Sequence, residues 1–376
     1  MRVTGSLFCL LVMSACSPKA ADIFGRNDNE DDSSQGGEGG QGASQGSNGS
    51  TETGHHPPTT GQGPQGGNAQ GTGGEPGQGA AGQGGSPQGP TGPGAGGSGV
   101  GGGNGNGCYY EPFTNANISN IENSYVGSQW LQKMLATLDA RYPNGHYLMD
   151  QMKNDPWLTG TFPSYFELGS WEGMIDAIDT ACHEETHGYD YDQALSLPNK
   201  HLYYMGSDNQ VEVPKLSFFP RNAILSLVQQ GGSETTNYDN TYLTGTQGSY
   251  DFISMGDELT AYINGLACVT TVQDYVTSTV SYRDGAASHL YYLQLYMRVA
   301  RTEYASLYNQ WKADPDWQRF VRYSWARGHF WTAQAAGNPH LGINDAAIWA
   351  RINQPQNLDE IELFTGESPE QVACTP

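Results

Sequence analysis

The pattern of apolar residues divides the chain at Cys108. From that residue onward, apolar side chains recur at three- and four-residue spacing, first over residues 130–138 and again over residues 171–178. This spacing predicts amphipathic helices, for which Ser128 and Ser170 stand where N-caps belong. The same reasoning predicts further helices over residues 223–228, 255–276, 286–311, 317–336 and 345–352.

A single β-hairpin is expected among these helices. Residues 201–205 and 210–213 are rich in strand-forming side chains, and the Gly-Ser-Asp-Asn segment between them favours a polar turn. The expected fold class is therefore mainly α, an α+β chain with one small hairpin. We expect one domain over residues 108–376, long enough to bury a hydrophobic core.

The chain before Cys108 has a different composition. It holds 33 of the 51 glycines, and residues 27–107 consist almost entirely of Gly, Gln, Pro, Ser, Asn and Thr. Such a segment cannot bury a core, so residues 16–107 are predicted to form a disordered linker.

The first residues indicate export. An apolar run over residues 7–13 follows Arg2, is too short to span a bilayer, and predicts a signal peptide over residues 1–15. Its Ser-Ala-Cys ending resembles the lipobox of bacterial lipoproteins, which implies lipidation of Cys16 and attachment to the membrane through it. Ser17, rather than Asp, in the next position implies an address in the cell envelope at the outer membrane.

Charge and cysteine content restrict the partners and the compartment. The net charge is −22, and the chain from Cys108 onward carries 14 Lys and Arg against 31 Asp and Glu residues. A field of that sign disfavours nucleic acid and anionic lipid as partners. An even number of domain cysteines in an exported chain predicts two disulfides among Cys108, Cys182, Cys268 and Cys374. Three pairings are open, and the one joining Cys108 to Cys374 at the two ends of the domain is favoured.

The segment His183-Glu184-Glu185-Thr186-His187 is the main candidate for chemistry, and it is expected to close the helix that begins near Ser170. Its two imidazoles would lie one turn apart on one helix face, suited to two ligands of a single tetrahedral Zn²⁺. This HExxH pattern resembles that of the zincin metallopeptidases. The resemblance implies zinc as cofactor and implies that Glu184 is the general base for a zinc-bound water.

A catalytic zinc needs a third protein ligand. The metzincin pattern fails at Asp190 and Gln193, and the aspzincin pattern meets Gly248 where it requires Asp. The gluzincin pattern takes a Glu from a downstream helix, which here implies Glu258. His201, at the start of a predicted strand, is the alternative ligand.

For the residues that would support the metal ligands and the reaction, the sequence yields only short sets of candidates. Carboxylates near enough in sequence to orient a metal-bound imidazole are Asp190, Asp192 and Asp257. Donors for a developing oxyanion, which zincins take from a Tyr or His outside the motif, are Tyr262, His289 and His329.

The expected function is a zinc-dependent hydrolase, a metallopeptidase acting on protein or peptide substrates outside the inner membrane. The alternative is a non-catalytic surface lipoprotein that uses a zincin-like domain to bind a partner.

Overall fold

A computed structural model describes residues 108–374 of the chain. The expected signal peptide, the lipidation site Cys16 and the Gly-rich linker lie outside the described residues. Within them the expected fold class is confirmed, because helices dominate and the one sheet has two strands. No helix in this described part combines the length and apolar content needed to cross a membrane.

The helices differ widely in length. The α-helices of the described residues are Ser119–Asn123, Trp130–Arg141, Pro143–Met152, Trp171–Ala194, Leu225–Gly231, Thr236–Tyr242, Gly245–Gly248, Phe252–Thr270, Tyr282–Glu303, Ala305–Ala313, Pro315–Ala335, Asp345–Ile352, Pro355–Thr365 and Pro369–Cys374. Single turns of 3₁₀ or π geometry are Gly127–Gln129, Trp157–Thr161, Phe162–Ser164, Arg221–Ile224 and Pro339–Leu341.

The predicted hairpin is confirmed. Strand β1, Lys200–Tyr204, pairs antiparallel with strand β2, Gln210–Pro214, in a register that sets Tyr204 opposite Gln210. Four of the five residues of β1 are buried, because the strand packs on the helix Trp171–Ala194.

Helix boundaries are less well predicted than helix positions. Ser170 is the N-cap it was expected to be, its hydroxyl accepting a hydrogen bond from the Gly173 N–H at 3.1 Å. Ser128 is not, since it lies in a 3₁₀ turn before Trp130. The long helix predicted over residues 286–311 is broken at Tyr304, where the backbone leaves helical geometry. Apolar spacing continues across this break, so periodicity could not reveal it.

Two buried helices stand at the centre of the fold. We call Trp171–Ala194 the motif helix and Phe252–Thr270 the Glu258 helix; all 19 residues of the latter are buried. A disulfide between Cys182 and Cys268 joins the two helices. The second disulfide joins Cys108 to Cys374, so the favoured pairing is confirmed.

A buried carboxylate close to the start of the domain is the centre of a hydrogen-bond network. Glu111 is 2% exposed. It accepts two hydrogen bonds from Arg327, at 2.9 and 3.0 Å, and one from the Trp331 indole at 2.8 Å. The Tyr142 hydroxyl and the Asn144 amide donate to the same carboxylate at 2.6 Å each. All of its ordinary acceptor positions are therefore used.

This network continues to the central helices. Arg327 donates to the side-chain oxygen of Asn264 at 3.0 Å, and Asn264 donates in turn to the Thr186 hydroxyl at 3.2 Å and to the Tyr204 carbonyl at 3.0 Å. Since Thr186 belongs to the HExxH segment, one chain of hydrogen bonds runs from Glu111 to the motif helix.

Replacing Glu111 by Gln is expected to destabilise the fold by about 3–5 kcal/mol, because it leaves the Arg327 charge unpaired in the core. Burial opposes ionisation of Glu111, but Arg327 and the surrounding donors lower its pKa below the usual 4.5. The stabilisation by ionised Glu111 is therefore present above that value and is lost as pH falls through the lowered pKa.

Urea denaturation of the wild type and of Glu111→Gln from pH 7 down to pH 3 checks this expectation. The gap in unfolding free energy should shrink at low pH. The matched control, Glu167→Gln at an exposed position, should leave the unfolding free energy unchanged within about 0.5 kcal/mol. A gap that is equally large at pH 3 and pH 7 contradicts the assignment.

Candidate metal centre

The HExxH segment lies inside the motif helix rather than at its end. The helix continues through His187 to Ala194, so the expectation that the motif closes the helix is wrong. All five residues of the segment are buried, and His183 and His187 are 5% and 6% exposed. Their spacing of one turn brings the two Nε2 atoms to 3.1 Å from each other.

Glu258 completes a triangle of donor atoms with the two histidines. Its Oε2 lies 3.6 Å from His183 Nε2 and 3.5 Å from His187 Nε2. Atoms bound at 2.0–2.1 Å to a tetrahedral ion are separated by roughly 3.3 Å, so the three donors fit one metal ion. The predicted ligand set His183, His187 and Glu258 is therefore brought together as a group able to hold a metal.

The Glu258 helix contacts the motif helix through an aromatic residue, Tyr262, and a small one, Gly265. The Asp251 carboxylate caps the helix by accepting from the Ile253 N–H at 2.9 Å. One turn after Glu258, the Tyr262 ring meets the His183 ring edge-on, with 4.5 Å between centroids. One turn further, Gly265 allows close approach, since a Cβ there would lie 2.6 Å from Asp179 Oδ1.

Of the three carboxylates considered for orienting a metal-bound imidazole, Asp257 is the one that contacts a histidine of the motif. Its Oδ2 is 2.6 Å from His187 Nδ1, and both side chains are buried. A proton on Nδ1 shared with Asp257 leaves the Nε2 lone pair directed at the triangle, as a metal ligand requires. Asp192 is exposed and takes no part in this contact.

Asp257 also belongs to a second buried group of residues that could hold a metal ion. Asp190 accepts a hydrogen bond from the Tyr204 N–H at 2.7 Å, and burial together with Asp257 raises its pKa well above 3.8. His201 joins Asp190 and Asp257 in this group rather than His183 and His187. His201 is therefore not the third member of the predicted ligand set.

The triangle favours a positive charge at its centre. Burial opposes protonation of His187, but the carboxylates of Asp257 and Glu258 raise its pKa well above 6.5. Burial and His187 together lower the pKa of His183 to about 3. Burial raises the pKa of Glu258, but the neighbouring His187 outweighs this effect and lowers the pKa to about 2. A cation held between these groups is thus stabilised, whether a proton or a metal ion.

Glu184 lies beside the triangle and lines a narrow pocket with His183 and Thr180. The side chain is 4% exposed, and no hydrogen bond joins its carboxylate to another described residue. Burial is the main cause that raises the pKa of Glu184 to about 7. An unpaired buried carboxylate of this kind is suited to accept a proton from a water molecule.

Two of the three expected oxyanion donors are close to the triangle. The Tyr262 hydroxyl is 2.8 Å from the Tyr242 hydroxyl, and the His289 ring stacks on the Tyr262 ring at 4.5 Å. Burial lowers the pKa of His289 to about 4, which keeps the ring neutral at pH 7.

The third candidate, His329, lies elsewhere. Its ring packs between Trp325 and Trp349, each with 4.6 Å between centroids. In the described residues no contact connects it with the triangle, so it is not brought to the site.

Sequence reasoning missed Asp179, which lines the same pocket as Glu184. Its position four residues before His183 was the available signal, because residues four apart share a helix face.

Removing the Glu258 carboxylate is expected to weaken metal binding by more than about a hundredfold, because a ligand contributes more than the outer groups that support it. Inductively coupled plasma analysis after dialysis should find one metal ion per wild-type chain and much less than one in Glu258→Gln. The exposed control Glu303→Gln should keep its metal. Equal metal content in Glu258→Gln and wild type would exclude Glu258 as a ligand.

Replacing Asp257 by Asn should have a smaller effect, a loss of about 10–100-fold in metal affinity, since it only releases the His187 ring. Competition with a chromogenic chelator measures this affinity. The exposed Asp208→Asn variant in the hairpin turn serves as control. A larger loss for Asp257→Asn than for Glu258→Gln would reverse their assigned roles.

Comparison with protein-family models, with curated proteins and with solved structures finds no match for this chain. Its chemistry is inferred from the geometry of the site.

Proposed function

We propose that the chain is a zinc-dependent hydrolase, a metallopeptidase that cleaves protein or peptide substrates. The observation that carries this proposal is the triangle of His183, His187 and Glu258 with the unpaired carboxylate of Glu184 beside it. Three donors satisfy a catalytic site while leaving one position for a reacting molecule.

The donor set supports zinc as the metal. Two imidazole nitrogens and one carboxylate oxygen are ligands that zinc accepts in hydrolytic enzymes, and their separations suit its tetrahedral geometry. When bound, zinc would supply Lewis-acid activation of water and of the substrate carbonyl.

The roles of the protein groups follow from their positions. Glu184 takes one proton from the water that attacks the peptide carbonyl, and it passes this proton to the leaving amine as the C–N bond breaks. Asp257 keeps the His187 ring in the orientation that binding requires. Tyr262, whose ring contacts His183, is our choice for the oxyanion donor.

The cellular setting is part of the proposal. Two disulfides suit an oxidising compartment outside the cytoplasm. Together with the lipobox-like ending at Cys16, they support a lipid-anchored enzyme of the cell envelope, at the outer membrane, whose linker lets the domain reach substrates at a distance.

Replacing Glu184 by Gln should lower peptide hydrolysis by about 10²–10⁴-fold while metal content stays at one ion per chain, because the proton acceptor is lost and the ligands remain. Turnover is measured by mass spectrometry of a broad peptide library with the full zinc-loaded chain. A chelator should abolish turnover in the wild type.

The matched control is Glu172→Gln, an exposed residue in the first turn of the same helix. It should retain wild-type turnover. If the zinc-loaded wild type cleaves no peptide in the library yet captures one intact, the alternative of a non-catalytic binding lipoprotein takes the place of the proposed enzyme.

A further inference from the structure

The pocket beside the triangle contains a second carboxylate that the proposed mechanism does not use. Asp179 is 8% exposed and lines this pocket together with Glu184 and His183, which are on the same helix. Neither a hydrogen bond nor an ion pair connects the Asp179 side chain to any other described residue. Two buried carboxylates, neither of them in an ion pair with a described residue, therefore share one small space.

No basic side chain in the described part of the chain offsets the burial of the Asp179 carboxylate. Burial raises its pKa well above 3.8, the Glu184 charge raises it further, and no basic side chain contributes. Its Oδ1 lies against the backbone of the Glu258 helix at Gly265, where a Cβ would come within 2.6 Å. A buried carboxylate without a basic partner holds a proton more readily than an exposed one, and a bound cation would favour its charged form.

The opposite wall of the pocket is aromatic. It is formed by Tyr238, Tyr262 and Tyr282 together with Ser281. The hydroxyl of Tyr238 donates to the Ser281 carbonyl at 2.8 Å, and that of Tyr282 donates to the Asp176 carbonyl at 3.0 Å. Tyr238 and Tyr282 thus line the pocket with their hydroxyls engaged, and aromatic rings attract cations.

We propose that this pocket binds a primary ammonium group of the substrate, with Asp179 as its counter-charge. The inference rests on the proposed function, since it names the substrate class of the same site. The interior has room for about one water-sized group, which suits the head of a primary ammonium. The excess of acidic residues in the domain would also attract cationic peptides.

The position of the pocket restricts the source of the ammonium. Asp179 lies one helical turn before His183, so the Cβ atoms of the two residues are about 5–6 Å apart. Both the α-amine at the N-terminus of a peptide and the ε-amine of a lysine beside the scissile bond are ammonium groups close to a cleaved bond. The two sources share one chemistry and are separated by experiment.

Hydrolysis by the full zinc-loaded chain is compared on matched peptides that cover both sources. One pair differs only in a free or acetylated N-terminus, and the other pair, acetylated, differs only in Lys or norleucine beside the cleaved bond. One of the two ammonium-bearing peptides should exceed its neutral partner in kcat/KM by about tenfold or more, the range for a hydrogen bond to a charged group. The pair that shows the difference identifies the source.

The Asp179→Asn variant should lose this preference, whereas the exposed control Asp208→Asn should keep it. The comparison of peptides on the unaltered chain stands even if Asp179→Asn fails to fold. If the wild type cleaves both members of each pair with equal kcat/KM, the ammonium site is overturned and the proposed hydrolase stands.

Binding is measured separately from turnover by calorimetric titration of the zinc-loaded chain with ethylammonium chloride, with sodium chloride as reference. Ethylammonium should bind the wild type and Asp208→Asn, and should bind Asp179→Asn at least about tenfold more weakly. Binding that depends on Asp179 in a chain that cleaves no peptide would support the cation site and overturn the hydrolase. Absence of ethylammonium binding to the wild type overturns the cation site.

Discussion

Removal of charged groups from water between two closely packed helices is the constraint on which the site depends. The motif helix and the Glu258 helix place His183, His187 and Glu258 within 3.1–3.6 Å of one another, where each is nearly inaccessible to solvent. Such a group is stable only when something positive lies among its members. Because the packing excludes water, this group of side chains is stabilised by a bound cation. Gly265 allows the two helices to approach each other closely enough for this packing.

The sequence predicted the parts of the fold that depend on local pattern. The hairpin, the helix Asp345–Ile352 and the N-cap at Ser170 follow from residue type and spacing alone. The disulfide between Cys108 and Cys374 was only favoured among three pairings, because cysteine count does not fix connectivity. The break at Tyr304 could not be predicted, since the same apolar spacing continues on both sides of it.

The residues of the site also fall into two sets, those that local sequence patterns predict and those that depend on how distant segments pack. The four-residue spacing of the two histidines determines their common helix face, and Glu258 was identified through a resemblance whose pattern asks for a downstream glutamate. The choice of Asp257 over Asp190 and Asp192 depends on how two helices far apart in sequence are turned toward each other. The network around Glu111 was not foreseen at all, because Arg327 is 216 residues away and a carboxylate near a domain boundary usually faces water.

The long sequence separation between Glu111 and Arg327 has a consequence for the order of events during synthesis. Most of the domain must emerge before Arg327 is available, and until then Glu111 lacks its charged partner, although Tyr142 and Asn144 are already present. Contacts of such high separation are slow to form because a long loop must close first. We therefore infer that the domain completes its core late in synthesis, once the segment around Arg327 has emerged from the ribosome. Through the chain of hydrogen bonds from Arg327 to Asn264 and Thr186, the candidate metal centre would reach its final form only at that stage.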